Sequence, residues 1–527
     1  MRRRWAVACA ALGWTLACGG DGSGGSVSVD VDSAVGCQAI GLNPFPPDLA
    51  LLGDGSRGVA LSFDPPAIVP LDLDGDVPRV DPGVPILGIP DDSDGDGAAE
   101  GSLAIPDSPK LDGVFVRDPD LAAADLGLAT ASDYEEVMVF DPDLGELVEV
   151  EVEVDAGFDP DDFRRLPAPG ASALRTAVST DACVRPLEPI DSNGEDYSAG
   201  IDPAFFCDPA VAGSFYASFT SGAAVAAARL FVSMSNLGSS VLSLFLPGAV
   251  LVYDTDLTSD PPWLSPATDA YMVETRDPAA LGGGPLFNPT HVDRLATAGR
   301  ELVLVTLSGA IGIQQDDPDT PDIELGALPL SPAGLQVLDP ETLTMVAGTG
   351  PVADGAFGFG GVAVHPSGRV GVVGSVARKS VFVVDLQPLD DLTTPGDVYP
   401  APLLVSELAV PALAGGPSPA VCPGATSGVA FNDAGDRLYV SERCDGSLTE
   451  YEVTLPAVGD VDAGDFALLS STTLQASLDP DNFGLQRDPS VLRVRAGEPG
   501  VDYRGPDVFF LSGQPTSQAC ALRLESL

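Results

Sequence analysis

The strongest constraint on the fold is an internal repeat of about 70 residues. Arg300, Arg369 and Arg437 follow one another at steps of 69 and 68 residues, each in a polar turn between two apolar segments. A step of 71 residues back from Arg300 reaches Arg229, and a step of 69 on from Arg437 reaches the apolar run that begins at Pro506. A fixed step of this length predicts a repeat architecture rather than a set of unrelated domains.

A second anchor recurs in the same copies: apolar residues are followed by an acid and then by a turn. An aspartate can start such a turn because its carboxylate accepts hydrogen bonds from backbone N–H groups two residues on. The acids of this anchor are Asp72, Asp141, Asp254, Asp339, Asp385 and Glu452. Together the two anchors predict seven repeats of about 71 residues, the last one degenerate. Short apolar segments between Gly, Pro and Asp turns predict an all-β fold: a seven-bladed β-propeller of four-stranded antiparallel blades.

Two segments then carry a family resemblance. One runs Gly361-Val-Ala-Val-His-Pro-Ser-Gly-Arg369 and continues to Ser380-Val-Phe-Val-Val-Asp385; the other spans Gly428 to Glu452. Both resemble blades of the YVTN-type β-propellers, relatives of the lactonase-like and amine-dehydrogenase-like propellers. Good matches cover the fourth to sixth repeats, and the other repeats fit more loosely. The resemblance implies the fold and says almost nothing about function.

The N-terminus has the layout of a secretion signal. Arg2, Arg3 and Arg4 precede an apolar stretch that is too short for a membrane span and ends at Ala17. The run Leu16-Ala17-Cys18 resembles the lipobox of bacterial lipoproteins, which implies cleavage after residue 17 and acylation of Cys18, and so a lipid bilayer as a partner. The alternative is an ordinary signal peptide with an incidental cysteine.

The predicted domain organisation follows from this signal. Residues 1–17 form the signal peptide, residues 18–30 the lipidated cysteine and a Gly/Ser tether, and residues 31–527 the propeller. Gly19 is not the aspartate that retains lipoproteins in the inner membrane of enteric bacteria. By that resemblance, the sequence predicts an exported lipoprotein of the outer membrane, on its periplasmic or surface-exposed side.

The remaining cysteines are even in number, as expected for an exported chain with disulfide bonds. Six remain after the signal and Cys18 are set aside, and their spacing favours Cys183–Cys207 and Cys422–Cys444 as local loops and Cys37–Cys520 as a link between the chain ends. The anchors Asp141 and Asp254 stand 113 residues apart, which predicts a disulfide-bearing insertion near residues 160–208. Free buried thiols are the alternative.

The charge balance excludes one class of partner. Asp and Glu outnumber Lys and Arg by 77 to 25, for a formal net charge of −52. A surface of this sign repels phosphate backbones, so we expect no nucleic-acid partner. Hydrophobic residues make up 45% of the chain, which is enough for a large core and argues against intrinsic disorder.

One acidic loop has the pattern of a cation site. Asp92, Asp94 and Asp96 alternate before a glycine, and Glu100 follows in the same loop. Such spacing can wrap oxygen ligands around Ca²⁺, and calcium is the one cofactor that the sequence suggests. The twelfth position of an EF-hand would be Leu103, so the loop resembles shorter calcium loops. The alternative is a solvated acidic loop.

Histidines are scarce in this chain, which holds only His291 and His365. His365 lies in a His-Pro-Ser-Gly turn, whereas His291 lies where the fourth repeat begins and is the candidate ligand residue. No catalytic motif with its required spacing is recognisable, so no catalytic residue is predicted. The sequence therefore favours a tethered scaffold that binds protein or glycan, with long insertions such as Gln314–Leu328 and Asp390–Pro419 varying its recognition face. The alternatives are a lactonase-like, metal-dependent hydrolase on the propeller axis and a purely structural envelope lipoprotein.

Overall fold

The computed structural model describes residues 35–39, 49–88, 127–152, 165–167, 220–272, 289–315, 325–411, 426–473, 489–495, 504–512 and 518–525, apart from short gaps within these ranges. Every regular element except two short 3-10 helices is a β-strand, so the all-β prediction is confirmed for this part of the chain. No helix of the described residues is long and apolar enough to cross a membrane.

The strands are numbered in chain order along the described residues. The N-terminal ones are β1 (Val35–Ala39), β2 (Leu49–Leu52), β3 (Arg57–Phe63), β4 (Pro66–Asp72), β5 (Arg79–Val80), β6 (Leu87–Gly88), β7 (Gly127–Ala131), β8 (Glu136–Asp141), β9 (Glu146–Leu147), β10 (Glu151–Val152) and β11 (Arg165–Pro167). The central ones are β12 (Thr220–Ala226), β13 (Arg229–Met234), β14 (Leu237–Ser239), β15 (Leu244–Phe245), β16 (Ala249–Asp256), β17 (Trp263–Leu264), β18 (Asp269–Met272), β19 (Pro289–Ala296), β20 (Glu301–Leu307), β21 (Ile311–Gln315), β22 (Leu325–Pro329), β23 (Gly334–Asp339) and β24 (Thr344–Gly348). The C-terminal ones are β25 (Phe359–Val364), β26 (Val370–Ser375), β27 (Ser380–Asp385), β28 (Val405–Ala409), β29 (Thr426–Phe431), β30 (Arg437–Glu442), β31 (Ser447–Val453), β32 (Phe466–Thr473), β33 (Pro489–Arg495), β34 (Arg504–Ser512) and β35 (Gln518–Glu525), with 3-10 helices at Gln387–Asp391 and Ala463–Asp465.

The number of blades differs from the prediction. Within the described residues, five sheets have four strands: β7–β8–β9–β11, β19–β20–β23–β24, β25–β28, β29–β32 and a closing sheet of β33, β34, β35 and β1. The prediction of seven four-stranded blades is therefore wrong. Of the remaining strands, β2 to β6 form a five-stranded sheet, and β10, β12, β13, β16, β17 and β18 form a six-stranded one. The physical reason is that short strands from the connections join these sheets, as when β10 pairs in parallel with β17.

In the sheets β19–β20–β23–β24, β25–β28 and β29–β32, the strands follow one another from the inside of the ring to the outside. First strands of neighbouring sheets contact each other, as β12 does with β19, β19 with β25, β25 with β29 and β29 with β33. The ring closes where β1, the first strand in sequence, pairs antiparallel with the C-terminal β35. Four-stranded antiparallel sheets arranged in this way around an axis make the fold a β-propeller.

The core lies between neighbouring sheets. All residues of β23, β26 and β27 are buried, because each of these middle strands is covered on both faces by an adjacent sheet. One cluster joins the β19–β24 sheet to the β25–β28 sheet through side chains such as Leu304, Val337, Val373 and Phe382. Each such side chain contributes roughly 1.5–3 kcal/mol through burial, so the stacked sheets stabilise one another as in other repeat proteins.

The antiparallel order defines two faces of the ring. At the upper face, first and third strands begin and second strands end; at the lower face, second and fourth strands begin and third strands end. The hairpin of β21 and β22 connects a second to a third strand and so lies at the upper face. The long connection from Asp390 towards β28 instead begins at the lower face. The two insertions expected to vary one recognition face thus belong to opposite faces.

The predicted disulfide-bearing insertion is not found in the described part of the chain, so this part of the fold prediction is wrong. Of the predicted insertion 160–208, only Arg165–Pro167 is described, and it forms β11 of a four-stranded sheet. Cys183 and Cys207 lie outside the described residues, as do Cys422 and Cys444.

Candidate binding face

The upper face holds His291, the residue that the sequence selected as a possible ligand contact. It lies at the upper end of β19, the first strand of its sheet, and its backbone carbonyl accepts a hydrogen bond of 3.3 Å from Thr306 Oγ1. Glycines lie beside it on both neighbouring first strands. A Cβ at Gly222 would come within 3.0 Å of His291 Cα, and one at Gly361 within 3.2 Å of its Cδ2. The absence of side chains at these positions makes room for His291 in the inner wall.

Asp293 follows two residues later and points to the same side of β19. Its Oδ2 accepts a 3.1 Å hydrogen bond from the backbone N–H of Val362, on the first strand of the next sheet. This carboxylate therefore joins two first strands and has a structural task. Asp293 is not among the residues predicted from the sequence, although its spacing of two from His291 on a strand indicates that the two side chains lie on a common side.

Thr426 likewise joins two neighbouring sheets, one sheet further on. Its Oγ1 accepts a 2.8 Å hydrogen bond from the Ser375 N–H and lies 2.8 Å from the Ser380 carbonyl, to which it donates. All three residues are buried, and they come from a first, a second and a third strand that meet at the upper face. Buried hydroxyls are retained where they satisfy backbone groups that a sheet end leaves unpaired.

A charged cluster lies on the outer side of these hydroxyls. Lys379 Nζ is 3.5 Å from Oε2 of the fully buried Glu442, and Arg378 lies 3.3 Å from both carboxylate oxygens of Glu407. Ser380 Oγ donates a 2.6 Å hydrogen bond to the same Glu407. The two basic residues of this cluster are neutralised by neighbouring acids within and between sheets. The sequence contains very few lysines, and this scarcity is the signal that could have indicated Lys379 as a site residue.

Two β-hairpins extend the upper face from adjacent sheets. β14 and β15 connect the second and third strands of the six-stranded sheet, and β21 and β22 do so in the next sheet. Because each leaves from the end of a second strand, both belong to the face on which His291 lies. The upper face thus combines a polar inner rim with two connections long enough to form strands of their own.

The lower face has a different chemistry, because its repeated arginines bind the next sheet. Arg229 Nη1 donates to the Pro340 carbonyl at 2.9 Å, Arg300 Nη1 to Thr394 at 2.6 Å and Arg369 Nη1 to Pro456 at 2.8 Å. Each acceptor lies after the third strand of the following sheet. Three of the repeated arginines are therefore links between sheets, whereas Arg437 pairs with Glu450 of its own sheet at 3.4 Å.

Asp339 completes the link that Arg300 makes. Arg300 Nη2 lies 2.6 Å from Asp339 Oδ2, and Gly396 N–H donates to the same oxygen at 2.6 Å. Burial by itself would raise the pKa of Asp339, but the hydrogen bonds from Arg300 and from the N–H groups of Gly396, Glu341 and Thr342 lower it to about 2. The carboxylate therefore stays ionised at neutral pH and holds the lower face together.

His365 is a further link of this kind. Its Nε2 lies 2.8 Å from the Gly435 carbonyl of the next sheet, and its Nδ1 accepts from the Ser367 N–H at 3.0 Å. Its ring meets Phe431 edge-on, with ring centroids 5.2 Å apart. This confirms a turn role for His365 and places the neutral ring, with a proton on Nε2, between two sheets.

The other predicted site residues are not brought together by the described structure. Cys18 and the acidic loop residues Asp92, Asp94, Asp96 and Glu100 lie outside the described residues. Among those that are described, no three His, Cys, Asp or Glu side chains group closely enough to hold a metal ion. Calcium therefore stays a prediction of the sequence.

Comparisons with known proteins address the fold alone. No protein-family model and no curated protein matches the sequence. The β-propeller domain of Cps50 (Swd1) from Myceliophteria thermophila is 10% identical, with a TM-score of 0.47 over 94% of this chain and 100% of that one. Hydrazine synthase from Kuenenia stuttgartiensis is 12% identical (TM-score 0.43; 93% and 96%), and the C-terminal WD40 domain of Sif2 is 10% identical (0.40; 93% and 82%). The propeller assignment follows from the order of the sheets, and similarity at this level carries no information about ligand or reaction.

Proposed function

We propose that the protein is a lipid-anchored, extracytoplasmic scaffold that binds a protein partner through its upper face. The observation that carries the proposal is the difference between the faces. On the lower face, Arg229, Arg300 and Arg369 are engaged in links between sheets, and Asp339 takes part in the link of Arg300. The upper face instead carries two extra β-hairpins and the wall position of His291.

The direction of the chain supports the same orientation. β1 is the fourth strand of the closing sheet, so it begins at the lower face. A tether that runs from an acylated Cys18 to Val35 would reach the propeller on that side. The upper face would then point away from the bilayer, where a partner can approach it.

Charge determines which partners fit. With a net charge of −52, the scaffold attracts basic surfaces and repels acidic ones at distances up to about a Debye length, roughly 8 Å at physiological salt. We therefore expect a partner with a basic contact surface, and binding that weakens as salt is raised. A glycan is the alternative outcome of the test.

The test compares matched variants of the lipid-free mature chain, Gly19 to Leu527. In the first, residues 316–324 between β21 and β22 are replaced by Gly-Gly; in the control, Leu144→Asp changes an exposed lower-face residue. Each is incubated with detergent-solubilised envelope proteins, and bound proteins are identified by mass spectrometry at low and high salt. A protein retained by the wild type and the control, lost from the hairpin variant and released by salt supports the proposal.

Two results would overturn it. Retention of the same protein by all three chains would place the contact elsewhere. Binding to purified envelope polysaccharide, with no protein retained, would favour a glycan partner. A parallel assay with a panel of lactones and divalent metals tests the hydrolase: turnover that survives purification and stops with EDTA would assign an enzyme instead.

A further inference from the structure

The outer edge of β32 is an uncharged strand edge with two exposed leucines. β32 is the fourth strand of its sheet, with β31 as its neighbour on one side and no described strand on the other. Its eight residues, Phe466–Thr473, contain no charge, and Leu468 and Leu469 are 52% and 47% exposed. Long, uncharged edges are unusual because they pair readily with other strands.

Two other fourth strands, β24 and β28, are covered by a connection of the next sheet. Before β28 begins at Val405, the connection runs along β24: the N–H groups of Tyr399 and Leu403 donate to the carbonyls of Val346 and Gly348, both at 2.8 Å. These two residues stand six and two positions before their own fourth strand. The connection thus uses the few residues before a fourth strand to close the edge of the preceding one.

The same arrangement recurs one sheet further on. Before β32 begins at Phe466, the Ala463 N–H donates to Ser406 Oγ of β28 at 2.7 Å, and the Val461 N–H donates to the Asp385 carboxylate. Val461 also belongs to the apolar cluster that holds Leu408 of β28. Val461 and Ala463 stand five and three positions before β32, which lies within the range of six to two positions found before β28.

At β32 the covering connection is missing for a topological reason. The next sheet is the closing one, whose third strand is β35 and whose fourth strand is β1, from opposite ends of the chain. A connection between them does not exist. The exposure of the acid at the end of each third strand shows the difference. The Asp339 side chain is 0% exposed beneath the connection after β27, whereas the Glu452 side chain at the end of β31 is 50% exposed. Asp254, which faces a sheet with a tight turn in place of a long connection, is 49% exposed.

We propose that the segment directly before β1, Val29–Ser33, takes the place of this connection and docks on the open edge of β32. The offset of six to two residues before Val35 selects these positions, and the chain reaches β1 from the lower face, where such connections lie. The sequence Val27-Ser-Val-Asp-Val-Asp32 alternates apolar and polar residues, so an extended segment would carry Val29 and Val31 on one apolar side, which matches the uncharged composition of β32. The occupant is thus the protein's own N-terminal segment.

Docking would shorten the tether of the proposed lipoprotein. Only the ten residues Gly19–Ser28 would remain free between Cys18 and the propeller, a Gly/Ser-rich length with a mean end-to-end distance of about 18 Å. The lower face would then be held close to the bilayer. This consequence rests on the proposed anchoring, but the docking itself does not, and it can be tested on the lipid-free mature chain.

The first experiment replaces Leu468 by a benzophenone amino acid in the mature chain and maps the photo-cross-link by mass spectrometry. A cross-link within one chain to residues 29–33 is the expected result. A cross-link between two copies would assign the edge to self-association, and the absence of a cross-link to this segment would equally overturn the proposal.

The second experiment measures hydrogen exchange of the outward-facing amides of β32. Val31→Pro removes a donor from the docked segment, and Val27→Pro, outside the selected positions, is the matched control. We expect V31P to speed exchange in β32 by about tenfold and to leave β24 unchanged, while V27P matches the wild type. Equal exchange in all three chains would overturn the docking. A thermal melt of each variant establishes that the propeller is folded.

Discussion

Arg300 and Asp339 form the most buried ion pair of the repeated lower-face links, with 2.6 Å between Nη2 and Oδ2 and side-chain exposures of 10% and 0%. The pair joins a second and a third strand of one sheet, and both partners also bind the next sheet, Arg300 through Thr394 and Asp339 through Gly396. One ion pair therefore stabilises both its own sheet and the contact of that sheet with the following one.

Removal of one partner should be costly because it leaves a buried charge without compensation. We expect Arg300→Met to lower the free energy of unfolding by about 3 kcal/mol. The matched variant Arg229→Met breaks the equivalent pair with Asp254, where the side chains are 28% and 49% exposed, and should cost about 1 kcal/mol. Guanidinium unfolding followed by far-UV circular dichroism measures both. Equal losses would show that burial does not control the strength of these links.

The pH dependence of stability near neutrality should come from His365. Burial lowers its pKa, and the positive charge of Arg369 acts in the same direction, whereas the hydrogen bond to the Gly435 carbonyl opposes it. Because the folded pKa lies below the unfolded value of about 6.5, the unfolded chain binds more protons between the two values. Stability is then full above about pH 6.5 and is lost as the pH falls towards the folded pKa.

The chain has only two histidines, which allows a clean comparison. Melting temperatures measured from about pH 7.5 to 5.5 should fall in the wild type and in His291→Asn, but the slope should be smaller in His365→Asn. A slope that is unchanged in H365N would assign the dependence to other groups.

The closing pair of strands makes the predicted Cys37–Cys520 bond testable. The register of β1 and β35 places Cys37 directly opposite Cys520, and directly opposed residues of antiparallel strands have Cα atoms about 4.5–5.5 Å apart, within the range that a disulfide bond spans. We expect a non-reducing peptide map of the exported protein to contain this cross-link, and the C37S/C520S double variant to lose about 2–4 kcal/mol of stability. The C183S/C207S double variant is the control, and free thiols at both positions in the exported protein would refute the pairing.

The acidic loop predicts a response to calcium. After exhaustive dialysis, the lipid-free mature chain should retain calcium, and its melting temperature should fall in EDTA because bound metal stabilises only the folded state. Asp94→Asn combined with Asp96→Asn should abolish the difference, whereas Asp72→Asn should not. Superimposable melts in calcium and in EDTA would make the loop a solvated turn.

The sequence predicted the propeller and the roles of its repeated residues only in part. Arg300, Arg369 and Arg437 could be recognised because their spacing repeats, and the anchor aspartates because they start turns, as Asp339 does by accepting from the Glu341 N–H. Arg437 pairs with Glu450 of its own sheet. That Arg300 and Arg369 instead reach across to the next sheet could not be predicted, since their acceptors are backbone carbonyls with no sequence signature. Asp293 was missed for the same reason: its partner is the Val362 N–H.

The sequence by itself determined a repeated unit of strands, turns and anchor residues, because period and turn chemistry are local properties of the chain. The tertiary structure decided how many strands each sheet contains, which face carries the hairpins and which strand edge is left open. Those features depend on pairing between segments far apart in sequence, such as β10 with β17 and β1 with β35. The outer edge of β32 is an example: no described strand pairs with it, because the closing sheet is built from both ends of the chain.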